Sequence, residues 1–373
     1  MERGNSMTLD ELPTPCLVLD RGILQRNLDV MARALARHEV PLRPHMKTAK
    51  SIDVARMATA GQPGGITVST LAEAEYFVGY RIYDILYAAG ITPQKLQRVV
   101  DLNRFGADVI VITDDRDMAA IIAAYGTPPR TLIEVDTGEH RGGISPDGPE
   151  LMDLAARLGP ALAGVMTHAG HSYAGRSVAE MAAIAEIERA GIVRAAERLR
   201  MAGYKAPIAS MGSSPTALHA AHLGGVTEVR AGVYMFGDLF QAEILTHGLD
   251  DIAVTVLTSV IGRRPKENTI LIDAGGMALS KDRSTAATVI DYGFGLALNL
   301  LGQRRYGRTI VERAYQEHGV IVGDPACKID LPIGSKLRIA PNHTCMTVAA
   351  HDRYHVVDGS DDVIAIWPRV NGW

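Results

Sequence analysis

A chain of 373 residues, 47% hydrophobic and 21% charged, holds enough apolar material for more than one core, and its length predicts two domains. Its 38 Lys and Arg against 42 Asp and Glu leave a net charge of −4, which gives no electrostatic footprint for nucleic acid or an anionic membrane. No apolar run reaches the ~18–20 residues that cross a bilayer, so neither nucleic acid nor membrane is expected as a partner.

The opening stretch, Met1 to Met7, has none of the apolar character of a secretory signal; it reads as a disordered leader, with Met7 as an alternative start. Cys16, Cys327 and Cys345 are too few for a disulfide framework, so a cytoplasmic location is expected, with the thiols left for packing or metal binding. The run Pro15–Asp20 precedes a helical pattern over Leu24–His38. It is surplus to the eight strand–helix units downstream and is expected to pair into a C-terminal sheet.

From residue 41 short apolar runs alternate with helix-period segments. The strand candidates are Pro41–Lys47, Gly65–Ser69, Asp84–Ala89, Asp108–Asp114, Thr131–Thr137, Leu162–Gly170, Ile208–Ser213 and Thr227–Met235. Helical patterns lie between them over Leu71–Val78, Pro93–Asn103, Arg116–Tyr125, Gly148–Leu158 and Ser177–Ala202. Continuous apolar strands joined by long crossovers are the mark of a parallel sheet, and eight such units predict an α/β fold, a (β/α)8 TIM-like barrel. A doubly wound open sheet is the alternative, but no Gly-x-Gly-x-x-Gly opens the first helix. After residue 250 the pattern changes to strands without long helices: Ala253–Ile261, Thr269–Asp273, Lys336–Ile339, Tyr354–Val357 and Asp362–Trp367. The predicted domains are therefore a barrel over 21–250 and a mostly β domain over 251–373, completed by residues 8–20.

Barrels of this kind gather their chemistry at the C-terminal strand ends. Those ends carry Lys47, Ser69-Thr70, Asp136-Thr137 with His140-Arg141, His168 with His171 and Tyr173, Gly212-Ser213-Ser214, and Arg230 with Tyr234. A lysine there can form an imine with a carbonyl compound, although a solvated loop cation fits the same position. His45 and Lys50 flank Lys47, and Lys50 reads as a helix-surface residue. Gly212-Ser213-Ser214-Pro215 suits a phosphate, with Ser214 as N-cap and Pro215 at the first helical position; an ordinary capped helix fits it equally. In His343-Thr344-Cys345, read as a strand, both side chains face one side and offer imidazole and thiolate to an ion such as zinc. His351, Asp352 and His355 lie nearby and read mainly as surface or packing residues.

With these residues in view, the chain resembles the fold-type III pyridoxal-phosphate enzymes. Within them it is similar to the D-serine dehydratase and D-threonine aldolase group, most of all to its D-threo-3-hydroxyaspartate dehydratases. The resemblance runs from Thr14-Pro15 to Trp373. It is carried by Arg43–Lys47, Gly65–Thr70, Thr167–Gly170, Gly212–Leu218, Val226–Asp238, Asp273–Gly275, Gln316–Gly319 and Pro341–Cys345. It implies an alanine racemase-type barrel in which Lys47 is catalytic and carries pyridoxal 5′-phosphate. It implies that His45, Arg141, His168, Tyr173, Gly212, Ser213, Ser214, Gly232 and Tyr234 surround that cofactor, and that His343 and Cys345 bind zinc or another divalent cation. It implies a homodimer acting on a small D-amino acid.

Aldolases of the group usually carry His-x-Asp at the metal pair and a Cys-Cys-Gln-Lys stretch near strand two; His343-x-Cys345 and Thr67–Thr70 favour the dehydratase branch. The implied reaction converts a D-3-hydroxy amino acid (D-threo-3-hydroxyaspartate, D-serine or D-threonine) to a 2-oxo acid and ammonia. The alternative is D-threonine aldolase-type cleavage to glycine and an aldehyde. His171 departs from the family pattern and leaves the substrate side chain open.

Overall fold

The structure, a computed structural model, describes residues 7–373; the expected leader at residues 1–6 lies outside the described residues. The chain divides into two compact units. One takes residues 30–232 and 370–373, the other the described residues up to 29 together with 233–369.

The first unit is built on eight parallel strands. After β1 (Cys16–Asp20), which belongs to the other unit, these are β2 (Leu42–Pro44), β3 (Ile66–Val68), β4 (Asp84–Gly90), β5 (Asp108–Thr113), β6 (Thr131–Glu134), β7 (Leu162–Met166), β8 (Ile208–Met211) and β9 (Glu228–Ala231). Each from β3 to β8 pairs with the next in sequence and β2 pairs with β9, in the order β2-β9-β8-β7-β6-β5-β4-β3. Just past β2, an isolated parallel bridge joins His45 to Thr67. The His45 N–H donates to Ala231 O and the Met46 N–H to Thr67 O, each at 2.8 Å. One stretch of main chain thus ties β9 to β3 and brings the sheet to near-closure.

The strands are nearly continuous apolar runs because both faces are covered; Val109 to Thr113 are all buried. Helices cover the outside wherever an apolar stripe recurs at helical spacing. The longest, Val178–Met201, buries Met181, Ala185, Glu188, Ile192, Ala195 and Leu199 and starts on Ser177, whose side chain accepts the Glu180 N–H.

Arg43 on β2 is the polar tie at the closure. Its Nε donates to Glu228 at 2.8 Å and its Nη1 and Nη2 form a fork on Asp84 at 2.8 and 3.2 Å. Its side chain is 7% exposed and that of Glu228 12%.

The second unit is a nine-stranded sheet. It contains β1, β10 (Val254–Arg264), β11 (Thr269–Ile272), β12 (Leu296–Leu298), β13 (Ile310–Ala314), β14 (Gly319–Val322), β15 (Lys336–Ala340), β16 (Arg353–Val357) and β17 (Ala365–Pro368). Their order is β11-β14-β13-β12-β15-β10-β1-β16-β17, and β10 also pairs with β11. β10 does both because its register shifts between Val260 and Gly262: the first part pairs with β1 and β15, the last with β11. β1 lies antiparallel to β10 and parallel to β16.

Two sequence expectations shift. β12, β13 and β14 are absent from the expected strands; in β13 the exposed pair Glu312-Arg313 breaks the alternation that marks a strand. The division falls at 232/233 instead of 250/251 because Leu239 and Ile252 enter the same apolar cluster as Tyr292, Leu296, Leu298 and Ala340.

Replacing Arg43 by Met removes the ion pair of the partly buried Glu228 carboxylate, which keeps Ser210 Oγ and the charge of Arg230, and the expected loss in barrel stability is ~2 kcal/mol. A urea unfolding midpoint unchanged in Arg43→Met would show that the tie contributes nothing.

Candidate active site

Of the twelve residues expected at the site, nine lie in the barrel unit, while Tyr234, His343 and Cys345 lie in the β unit. In the barrel, Lys47 follows directly on the closing bridge. Its side chain is exposed, and its amine has no hydrogen-bond or ion-pair partner among the described residues. Its charge reaches two imidazoles, His45 and His168. Burial first, and then the Lys47 charge, hold His45 well below its ordinary value. The same two causes, in the same order, bring His168 down to about 3. His168 donates from Nδ1 to Gly212 O at 2.8 Å, which fixes the tautomer and leaves Nε2 as an acceptor.

Gly212 ends β8 at φ +133, and a Cβ there would stand 2.3 Å from Arg230 O, so only glycine permits this approach. The helix after it starts one residue earlier than expected. Ser213 is the N-cap, with a capping box to Thr216, and Ser214 begins the helix Ser214–His219. The difference arises because Ser213 Oγ accepts the Thr216 N–H, which fixes the cap there. The Ser214 N–H points to the Tyr173 hydroxyl at 3.4 Å, and Ser172 Oγ meets Ser213 Oγ at 2.8 Å. Tyr173 is therefore brought to the Ser213-Ser214 turn. Gly232 lies at the end of β9, where a Cβ would be 2.8 Å from His45 O. Arg141 is exposed in the loop after β6, and its charge acts on both His168 and Glu134.

Beneath these groups lies a residue that sequence reasoning passed over, Glu188. Glu188 Oε1 accepts the Ala169 N–H at 2.9 Å and the Gly212 N–H at 3.0 Å, so one carboxyl ties the ends of β7 and β8 together. Burial raises its pKa against the opposing hydrogen bonds. A glutamate on the apolar stripe of a long helix was the available signal. Arg230, fully enclosed, donates to Ser210 Oγ and Thr167 O. Lys50 is no helix-surface residue: it has φ +50 before the helix begins, and its amine pairs with buried Glu73 at 3.3 Å. His171 Nδ1 faces Glu139 at 3.6 Å, and its ring packs where a Cβ on Gly138 would stand.

In the β unit, Tyr234 is buried in the turn Val233–Met235, and burial raises its phenol pKa. His343 and Cys345 are brought together, though not by strand alternation. His343 is the N-cap of the helical turn Thr344–Thr347, and Cys345 is the second residue of that turn. The difference has a clear source. Asn342 is locked by three hydrogen bonds to Thr285 and Gly293, and buried Asp238 accepts the Thr344 N–H at 2.9 Å, so the chain leaves β15 straight into a helix.

Asp282 Oδ2 stands 2.7 Å from His343 Nδ1, and Cys345 hydrogen-bonds the imidazole as well. Burial pushes the His343 pKa down, but Asp282 and Cys345 outweigh it and raise it to about 11. The hydrogen bond from His343 brings Asp282 to about 2. A carboxylate on Nδ1 orients the ring so that Nε2 can bind a metal, and a thiol beside it completes a soft pair of donors. The donor set fits a divalent cation held by two protein ligands; among the described residues no group of three or more His, Cys, Asp or Glu converges on a metal position. His351 bonds Ala278 O, His355 bonds Leu17 O inside the sheet, and Asp352 pairs with Arg353.

Residues 19–239 match the family described as alanine racemase, N-terminal domain, and residues 253–357 match the putative serine dehydratase domain. The chain belongs to this alanine racemase-like family. Within the family it is 42% identical to the D-threo-3-hydroxyaspartate dehydratase of Delftia sp. (strain HT23), over 98% of this chain and 99% of that one. A solved structure of a D-threo-3-hydroxyaspartate dehydratase, a cysteine-to-alanine mutant in the metal-free form, superposes with a TM-score of 0.95 at 41% identity, covering 98% of this chain and all of the other. A D-serine dehydratase of Dictyostelium discoideum is 30% identical over 99% of both chains. A D-threonine aldolase from Filomicrobium marinum superposes with a TM-score of 0.83 at 25% identity, covering 97% of this chain and 96% of that one. The relatives named here are dehydratases and aldolases of a family that depends on pyridoxal phosphate, and the metal-free form implies that a metal belongs to the dehydratase.

His168 should show no imidazole titration between about pH 5 and 9 by NMR, and a midpoint near 6.5 would contradict its placement. In metal-free protein, His343 binds its proton more tightly folded than unfolded. Its contribution is therefore complete below the unfolded value near 6.5 and is lost as pH rises through about 11. Asp282→Asn should flatten that decline in a urea series across about pH 6.5–10; an unchanged slope would remove Asp282 from the account.

Proposed function

We propose that this protein is a pyridoxal 5′-phosphate- and zinc-dependent dehydratase, an ammonia-lyase converting a D-3-hydroxy amino acid to a 2-oxo acid and ammonia. The candidate substrates are D-threo-3-hydroxyaspartate, D-serine and D-threonine. The observation that carries this reading is the His343–Cys345 donor pair, oriented by Asp282, in a chain whose whole length follows a dehydratase. Simple exchange of a Cα proton, as in a racemase, gives such a pair no task. Removal of a β-hydroxyl does.

Lys47 holds the cofactor, and its exposed amine without a partner among the described residues suits that task. Ser213, Ser214 and Tyr173 hold the phosphate, with Gly212 and Gly232 allowing the close approach of chain to chain; Tyr234 is assigned to the same phosphate. His45 and His168, both kept neutral, add no charge beside the amine. Arg141, exposed near His168, meets the cofactor ring. The bound cofactor supplies an electron-withdrawing ring that accepts charge from Cα.

Once released by the substrate amine, Lys47 Nζ takes the Cα proton. His343 and Cys345 hold a cation whose Lewis acidity makes the β-hydroxyl a tolerable leaving group. Loss of water leaves an enamine, which takes up water in solution and yields the 2-oxo acid and ammonia.

Three cysteines, none of them in a disulfide, suit a reducing cytoplasm, and no helix of the described residues is long and apolar enough to cross a membrane. Homodimerisation follows from the family resemblance, and sedimentation would test it.

Purified protein given D-serine, D-threonine and the 3-hydroxyaspartate diastereomers should release 2-oxo acid and ammonia in equal amounts, and chelation should abolish turnover. Glycine with an aldehyde would establish the aldolase reading instead. Lys47→Ala should lose at least ~10³-fold in turnover. It should also lose covalent cofactor trapping by borohydride; retained trapping would assign the cofactor to another lysine.

A further inference from the structure

The β unit carries a half-open pocket of about 790 Å³, and none of the residues assigned to the cofactor or the metal lines it. Its size is that of a small-molecule site. One side is apolar, formed by Ile252, Tyr292, Leu296 and Leu298. The other carries charge. Four arginines line the pocket against three aspartates, and every aspartate is already committed. Asp250 pairs with Arg304 at 3.1 Å. Asp324 accepts the Arg308 and Ala326 N–H groups at 2.7 and 2.8 Å. Asp20 accepts those of Ile23 and Gly359 at 2.9 and 3.1 Å.

Arg338, on β15, is the decisive residue. It is 2% exposed, yet among the described residues its guanidinium makes one hydrogen bond, from Nε to Thr255 Oγ1 at 2.7 Å, and no ion pair. Nη1 and Nη2 have no partner among the described residues. The free end points toward the Gly302 turn on the pocket wall: at φ +77, a Cβ on Gly302 would stand 2.9 Å from Nη1. Burial lowers its pKa only to about 10, against the pull of Asp20, so the group stays charged at neutral pH. A buried cation with four unused N–H donors is costly unless an anion meets it. Arg308, exposed at the rim, forms no ion pair among the described residues, while its charge acts on Asp324.

We propose that this pocket binds a small organic carboxylate with a short aliphatic body, its two oxygens on the Arg338 fork and its body against the Leu296–Leu298 wall. A planar carboxylate matches the two parallel donors of a guanidinium, and the apolar side gives inorganic phosphate nothing to bury. The assignment is independent of the reaction proposed above.

Calorimetry of the holoenzyme with 4-methylpentanoate tests it, with 4-methylpentanamide and inorganic phosphate as comparisons. The carboxylate should bind saturably and at least tenfold more tightly than the amide. Arg338→Met should weaken it at least tenfold, and Arg308→Met, at an exposed position that folding tolerates, about threefold. A crystal of the soaked holoenzyme should place the carboxylate on Arg338. Equal binding of the amide, unchanged affinity in both variants, or saturable binding of phosphate with none of the carboxylate would overturn the proposal.

Discussion

The closing of the parallel sheet at the end of β2 is the constraint on which the barrel's chemistry depends. Three residues of β2 bring the chain to Pro44, and the next two spend their backbone N–H groups on Ala231 and Thr67. Lys47 is the first residue free of that commitment. Below it, the buried Arg43 guanidinium holds Glu228 and Asp84. The lysine therefore projects from a point whose main chain is fixed on both sides, while its own amine has no partner among the described residues. Rigidity beneath and freedom at the tip suit the amine proposed above to bear the cofactor.

The β unit solves a different problem. It sets an imidazole and a thiol side by side, and it fixes the backbone before the pair with Asn342 and between its two members with Asp238. Asp282 then sets the ring. The two units divide the proposed labour by chemistry: a carbon acid is activated with the barrel's residues and a leaving group with those of the β unit. The pocket lined by Arg338 belongs to neither task.

The barrel was legible because buried parallel strands advertise themselves as apolar runs, and all eight coincide with stretches read from the sequence, β4 alone running on to Gly90. Lys47, His168 and Gly212 were legible for a related reason: they sit at strand ends, where position alone suggests use. Asp282 was not legible, since it lies 61 residues from His343 and no local pattern links them. Lys50 was illegible too, because its ion pair with Glu73 depends on a left-handed residue that spacing does not reveal.

The sequence by itself determined the alternation of strand and helix, the change to β structure in the second half of the chain and the chemical types available at the strand ends, because these depend on local periodicity and residue identity. Tertiary structure alone decided which groups meet. Ser213 rather than Ser214 caps its helix because its hydroxyl accepts the Thr216 N–H. His343 and Cys345 share a helical turn because Asp238, 106 residues away in sequence, accepts the Thr344 N–H. Contacts of that separation are made by packing, and packing is a property of the closed fold.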